Sequence, residues 1–373
     1  MPHLTRADLW ELRLPLRTAV DWTVGGAEAD VPYLLLLLED DAGRRGVGEI
    51  TCRPEWNGMT PGLLARAFVD IAWPRIVGLD LSTSAAQTLS GVRGAVALRA
   101  LCDNAWRDLT SPVPTGAPVR VASVLTRGVP GDMAEAALKV RDDTGITAFK
   151  VKLGQGIARD GAVLAALRRS LGDVDLSGDA NSAYAPEDLP DLFALASDMG
   201  LTFLEDPCPL LPDTATARAC AGAPVPVLAD KPIEGPDLLP AFAERGLVQV
   251  SAKPGRLGLT AAQAIASVVA TQRGRICNGT YSESALGAAA QIAFAQGLPT
   301  GLAHPHEIDF HRHLSAQIAP LPEIRDGFAA PVCGRIADRL DLAALKRLGT
   351  GQIRLRHGAA ARPARKTKDH AHG

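Results

Sequence analysis

The chain lacks the features that would place it in several large protein classes. Its six cysteines among 373 residues (Cys52, Cys102, Cys208, Cys220, Cys277 and Cys333) are scattered, with no CxxC pair and no zinc-ligand spacing. This argues against a disulfide framework or a zinc finger, and dispersed cysteines in a chain of this size point to a reducing, cytoplasmic location. Net charge is almost absent, since 39 basic and 41 acidic side chains leave −2 at pH 7. Such a balance gives no electrostatic drive toward nucleic acid or a membrane surface. Long apolar runs are missing too. The run "YLLLLLE" (33–39) is strand-length, far short of the ~20 residues that cross a bilayer. The opening "MPHLTRADLWELRLPLRT" carries no apolar core of signal-peptide type.

What remains is an ordinary globular composition, 47% hydrophobic and 21% charged. The length suits one large barrel with an accessory module, or two medium domains. From residue 119 a regular beat sets in. Short apolar runs begin at 119, 148, 174, 201, 225, 247, 275 and 298, the last being "LPTGLAH" (298–304). Alanine-rich amphipathic stretches such as "GAVLAALRRSLG" fill the gaps. One strand, one helix and two loops fit each interval. Eight such units predict a (β/α)8 TIM-type barrel over residues 116–309. An open doubly wound sheet is the rival, but no Gly-rich dinucleotide loop is present.

Residues 1–115 keep a different rhythm, two strands joined by a turn at Asp41–Gly43 and then helical segments. They predict an α+β capping domain, completed by a C-terminal return over residues 310–355. The small, basic tail 356–373 reads as disordered, with His370 and His372 solvated.

In such a barrel, catalytic groups sit at the C-terminal ends of the strands. Strand 2, in "TAFKVKLG", carries Lys150 and Lys152 on one face, because residues two apart in a strand point the same way. Strand 3 ends in Asp179 and Asn181, strand 4 in Glu205, strand 5 in Asp230 and strand 6 in Lys253, while "GTYSES" after strand 7 carries Glu283. A single acid at a strand end often caps the next helix. Three acids from consecutive units, flanked by lysines, instead suggest a divalent cation, and hard oxygen ligands with open positions suit Mg2+, with Mn2+ as a substitute. Strands 2 and 6 lie across the ring, so Lys152 and Lys253 would face each other over a metal-bound substrate carboxylate. One would act as base and the other as acid. Lys150, beside Lys152, would lower its neighbour's pKa by like-charge repulsion.

Taken together, "KVK", "DAN", "LEDP", "LAD", "SAKPGRLG" and "GTYSESALGAAA" resemble the enolase superfamily, in its muconate-lactonizing-enzyme subgroup, and the resemblance runs through nearly the whole chain. It implies Mg2+-assisted removal of the proton α to a carboxylate through an enediolate. By position, Asp179, Glu205 and Asp230 resemble the metal ligands and Lys152 and Lys253 the acid/base pair. Lys150 matches the first lysine of the KxK motif, and Asn181 and Glu283 match substrate-orienting or second-layer groups. The partner implied is a small carboxylate, and such proteins are often homo-oligomers. Two departures stand out. Lys231 follows the third acid where many relatives carry glutamate. In addition, no histidine ends strand 7, which disfavours the mandelate-racemase type of His–Asp dyad.

The subgroup runs cycloisomerisation, dehydration to an aryl succinate, and epimerisation of dipeptides or N-acyl amino acids through this half-reaction. Specificity would lie in two capping-domain loops, 17–28 and 52–60, with Trp22 and Trp56 as a lid and Arg53 free for a second anion. His306, in the histidine-dense "AHPHEIDFHRHL", is placed to reach substrate. Glu307 and Asp309 resemble the acid pair by which dipeptide epimerases hold an ammonium. We therefore expect racemisation or epimerisation of an amino-acid-like or dipeptide-like carboxylate. Muconate-type cycloisomerisation and o-succinylbenzoate-synthase-like dehydration are the alternatives. Two readings of other kinds stay open: a metal-independent Schiff-base aldolase on a barrel lysine, and a non-catalytic binding barrel in which Lys231 disables the metal site.

Overall fold

The computed structural model describes residues 1–22, 26–358 and 362–363. Its N-terminal part is an antiparallel sheet of β1 (Leu4–Trp22), β2 (Gly26–Asp40) and β3 (Arg45–Thr51). The turn expected at Asp41–Gly43 joins β2 to β3, with Asp40 Oδ1 accepting from the amides of Ala42 and Arg44. The leucine run of β2 is buried on both faces, which is why it does not alternate with polar residues. Leu34, Leu36 and Leu38 pack into one apolar cluster with the helix Val96–Thr110. Tyr33, Leu35 and Leu37 join a second cluster that continues into the rest of the chain. Gly46 and Gly48 let that helix approach β3, since a Cβ at either would overlap its backbone.

The second part is a parallel array, β4 (Val119–Leu125), β5 (Ala148–Lys152), β6 (Asp175–Asp179), β7 (Leu204–Glu205), β8 (Val227–Ala229), β9 (Gln249–Ser251), β10 (Arg275–Cys277) and β11 (His306–Glu307). Strands β4 to β10 are neighbours in chain order, and β11 pairs in parallel with β4 through His306↔Val121 and Glu307↔Ala122. On the other flank, Ala303 bridges Ile276, and the amide of Glu307 donates to Asn278 O at 3.0 Å. The eighth ladder strand thus lies at 306–307, beyond the expected 298–304, so the histidine-dense segment contains the strand. Helices such as Pro130–Thr144 and Ile157–Leu171 stand between strands and bury Met133, Ala137, Val163, Leu164 and Leu167.

A short hairpin of β12 (Ile324–Arg325) and β13 (Phe328–Ala329) adds antiparallel to the start of β4. The chain then returns to the first sheet, where β14 (Gly349–Arg356) pairs with β1, Leu9 opposite Ile353. Most of the expected tail lies outside the described residues, although Arg362–Pro363 pair with β14. Among the described residues, no helix is long and apolar enough to cross a membrane.

Candidate active site

The β5 pattern separates two faces. Phe149 and Val151 belong to the apolar core, and Lys150 and Lys152 turn to the other side. In the ladder, Lys152 lies opposite Asp179 and Asp179 opposite Glu205, so the three ends form one row. Lys152 Nζ donates to Asp179 Oδ2 at 2.5 Å and to Asn181 Oδ1 at 3.1 Å. Lys150 Nζ sits deeper, 2.7 Å from Glu307, 3.0 Å from Glu205 and 3.5 Å from Asp179. Across the site, Lys253 Nζ donates to Asp230 Oδ2 at 2.6 Å. Lys150, Lys152, Asn181, Asp230 and Lys253 line one cavity of about 550 Å3. That volume suits a whole small-molecule ligand.

The electrostatics follow from burial and pairing. Burial disfavours the Lys150 ammonium, but Glu205, Glu307 and Asp179 outweigh it and hold its pKa well above the usual value. Carboxylates therefore dominate the surroundings of Lys150. Lys253 is raised in the same way, with Asp230 overcoming burial. Burial would also raise Asp230, but Arg256 and Lys253 hold it far below the carboxylate range. Glu205 goes the other way, since burial and then the Asp179 charge push its carboxyl well up. Such a crowd of buried acids calls for a counter-ion. One orphaned atom agrees, because Glu205 Oε1 is buried without a hydrogen-bond partner, whereas Asp230 Oδ1 lies 3.1 Å from Arg256 Nη2. Glu205, Cys277 and Glu307 also each present a ligand atom within 4.8 Å of one another.

Several expected residues lie elsewhere. Arg53 is buried and engaged, with Nε and Nη2 on Glu28, Nη1 on Ser282 Oγ at 2.8 Å, and its guanidinium 4.1 Å from the Trp56 ring. It is therefore a strut and not a free anion receptor. Trp56 does line the cavity and packs on Tyr281 at 5.3 Å. The side chain of Trp22 lies outside the described residues. Segment 17–28, expected as a loop, pairs as a hairpin where described, Val20 opposite Glu28. Segment 52–60 holds a helical turn, Pro54–Asn57, and supplies Glu55, Asn57 and Met59 to the cavity. His306 is buried outside the cavity lining, its pKa lowered by burial to about 4. Its neighbour Glu307, pointing the opposite way along the strand, is the one that faces the site. Asp309 is buried on Ser123 Oγ at 2.5 Å, so it does not pair with Glu307 to face the cavity.

Glu283 sits behind the site, accepting from Thr280 Oγ1 and the amide of Tyr281. Gly255 makes room for it, since a Cβ there would fall 2.6 Å from Glu283 Oε1. Nearby, Glu49 of β3 accepts from the amide and hydroxyl of Ser284. Burial raises Glu49 from 4.5 to about 7. The folded chain therefore holds this proton more tightly than the unfolded chain. Stability should fall as pH climbs from about 4.5 through 7, by of order 3 kcal/mol for this group. Glu49→Gln should flatten that slope, measured as Tm at pH 5.5 and 8.5, and an unchanged slope would contradict the assignment.

Sequence reasoning missed Asp206, Arg256 and Cys277. Asp206 adopts φ +39° and accepts from the amides of Asp230 and Lys231. Arg256 stands three residues after Lys253, one turn into a short helix opened by Pro254 at N1. It reaches back to the carbonyls of Asp230 and Ile233, both at 3.0 Å. The motif "KPGR" carried that signal. Cys277 donates to Glu307 Oε1 at 2.9 Å, a contact between two strand ends that no local pattern announces.

The enolase C-terminal domain-like family profile matches residues 132–334, more than half of the chain. A D-galactarolactone cycloisomerase of Agrobacterium fabrum is 30% identical over 153 residues, 40% of this chain and only 38% of that protein's length. An N-succinylamino acid racemase of Thermus thermophilus is 25% identical over 69% of this chain and 72% of its own. An L-Ala-D/L-Glu epimerase of Escherichia coli is 26% identical over 77% of this chain and 90% of its own. Among solved structures, a muconate lactonizing enzyme from Pseudomonas fluorescens superimposes with a TM-score of 0.85 at 20% identity, covering 93% of this chain and 99% of that one. That likeness shows the fold. The chain belongs to the enolase superfamily, in the muconate lactonizing enzyme and mandelate racemase family, and is an enzyme of that family's isomerase kind.

Proposed function

We propose that this protein removes the proton α to a substrate carboxylate and returns a proton to the opposite face, racemising or epimerising an amino-acid-like carboxylate. The observation that carries this reading is the pair Lys152 and Lys253, which line one cavity and are each held on a carboxylate of the same acidic cluster. A neutral Nζ on one side takes the proton, and the ammonium on the other side delivers one. The architecture supporting it is a closed (β/α)8 barrel over residues 116–309. Residues 1–115 would cap it, together with the return 310–355. The pairing of β11 with β4, and of its flank with β10, supports closure.

Asp179, Glu205 and Asp230 would hold a divalent cation, Mg2+ or Mn2+, and the orphaned Glu205 Oε1 fits that role. When bound, it would supply positive charge against the charge building on the substrate carboxylate. Asn181 orients Lys152, and Lys150 neutralises the acids beneath it. Trp56 and Met59 shield the reacting centre from water. Glu307 is occupied by Lys150, Cys277 and the amide of Thr280, so it does not favour a dipeptide ammonium. An N-acyl amino acid, without that ammonium, fits better.

Metal binding is separable from turnover. Glu205→Gln should weaken Mn2+ binding at least tenfold by titration calorimetry, whereas wild-type affinity in that variant would remove Glu205 from the ligand set. Chiral chromatography of N-acyl amino acids incubated with Mg2+ tests the reaction. A lactone or dehydrated product in place of the opposite enantiomer would instead indicate cycloisomerisation or dehydration.

A further inference from the structure

Asp160 is fully buried in the first turn of the helix Ile157–Leu171. A buried carboxylate is costly unless donors surround it. Its Oδ2 accepts from the amide of Gly154 at 2.6 Å and from the Tyr184 hydroxyl, and its Oδ1 from the amide of Gln155 at 3.2 Å. These donors belong to two loops that carry the site. The first leaves β5 directly after Lys152, and Arg127 also grips it, with Nε and Nη2 on the Leu153 carbonyl at 3.1 and 2.7 Å. The second follows β6 and holds Asn181, whose Oδ1 accepts from Lys152 Nζ at 3.1 Å. The loops touch, since a Cβ at Gly154 would fall 2.6 Å from that of Ala183.

The second loop needs support. Asn181 and Ser182 have φ +49° and +62°, a left-handed conformation that persists in such residues only where the surroundings hold it. The Ser182 amide donates to the Asp206 carbonyl at 2.8 Å, and the Tyr184 hydroxyl ties the far side to Asp160. Burial and Asp160 raise the pKa of that phenol, so it remains a donor. Tyr184 is buried and lies outside the cavity lining. Lys253 rests on a different framework. The turn Pro254–Leu257 follows it, and the Pro254 carbonyl accepts from Asn104 of the helix Val96–Thr110 at 3.0 Å.

Resting on the reading that Lys152 and Lys253 serve opposite faces of the substrate, we propose that Asp160 and Tyr184 are positioning residues for Lys152 alone. Their hydrogen bond locks the loop behind Lys152 to the loop bearing Asn181, and so sets where the Lys152 amine stands for proton transfer.

Tyr184→Phe tests this, because it removes only the hydroxyl and keeps the ring in the core. Exchange of the α-proton of each enantiomer in D2O is followed by NMR. For the enantiomer that loses exchange in Lys152→Ala, kcat should fall about tenfold with KM nearly unchanged. Exchange of the other enantiomer, served by Lys253, should stay within about twofold of wild type and doubles as a control on the fold. In an Asn181→Gly background, where glycine accepts the positive φ, Tyr184→Phe should cost less than about threefold, because both changes act on one contact. Equal losses for both enantiomers, no loss for either, or additive losses in the double variant would overturn the proposal. Should the wild type exchange neither enantiomer, the two-base reading fails and labelling of the amines decides the matter. Acetylation of Lys152 by acetic anhydride, read by mass spectrometry, should be faster by about threefold or more in Tyr184→Phe, with Lys253 unchanged. Wild-type rates at Lys152, or equal acceleration at both lysines, would overturn the positioning role as well.

Discussion

Lys152→Ala and Lys253→Ala should each abolish racemisation, with a fall of about 10²–10⁴-fold, the range of a single positioned acid or base. The sharper expectation concerns each enantiomer separately. The two amines would approach the α-carbon from opposite faces, so each variant should still exchange the α-proton of one enantiomer with solvent. Lys152→Ala should spare one enantiomer and Lys253→Ala the other. Proton exchange of the separate enantiomers in D2O reads this directly. Loss of exchange for the same enantiomer in both variants would indicate a one-base mechanism. Retained racemisation in either would remove that lysine from the chemistry. Both side chains reach into the cavity from strand ends, so truncation should leave the fold intact.

Lys150→Met should act on stability. Its ammonium is 2% exposed and contacts Glu307, Glu205 and Asp179 at 2.7 to 3.5 Å. Removing one partner of a buried ionic cluster leaves the others uncompensated, at a cost of about 3–5 kcal/mol. The loss, measured by urea unfolding without added metal, should be larger at pH 8 than at pH 5, because the stranded carboxyls can then take up protons. A loss below about 1 kcal/mol would show that water or rearrangement already satisfies those acids.

These residues were legible from sequence because the strand period and the unit spacing act together. Spacing placed Asp179, Glu205 and Asp230 at successive strand ends, and the two-residue period put Lys150 beside Lys152. The structure brings all five lysines and acids around one cavity or directly beneath it. Three things were not legible, each for a physical reason. The eighth strand was displaced from 298–304 to 306–307 because it makes only two ladder pairs, too short a stretch to impose apolar alternation. Arg53 looked free because its partners, Glu28 and Ser282, are 25 and 229 residues away. The carboxylates around Lys150 were hidden because the nearest of them, Glu307, comes from the far end of the array. The leucine run of β2 shows the converse, since its strand character was evident but its burial on two sides needed the packing of both clusters.

On the proposed reading, Lys152 and Lys253 exchange an α-proton over a divalent cation held by the three acids. This is tested most directly by NMR of the wild-type protein in D2O. N-acyl amino acids and cyclic carboxylic acids would be incubated with Mg2+ or with a chelator. Loss of the α-proton signal is expected with Mg2+, and its retention with chelator. No exchange under either condition, together with borohydride trapping of a carbonyl compound on a lysine of this cavity, would contradict that reading and indicate Schiff-base chemistry instead.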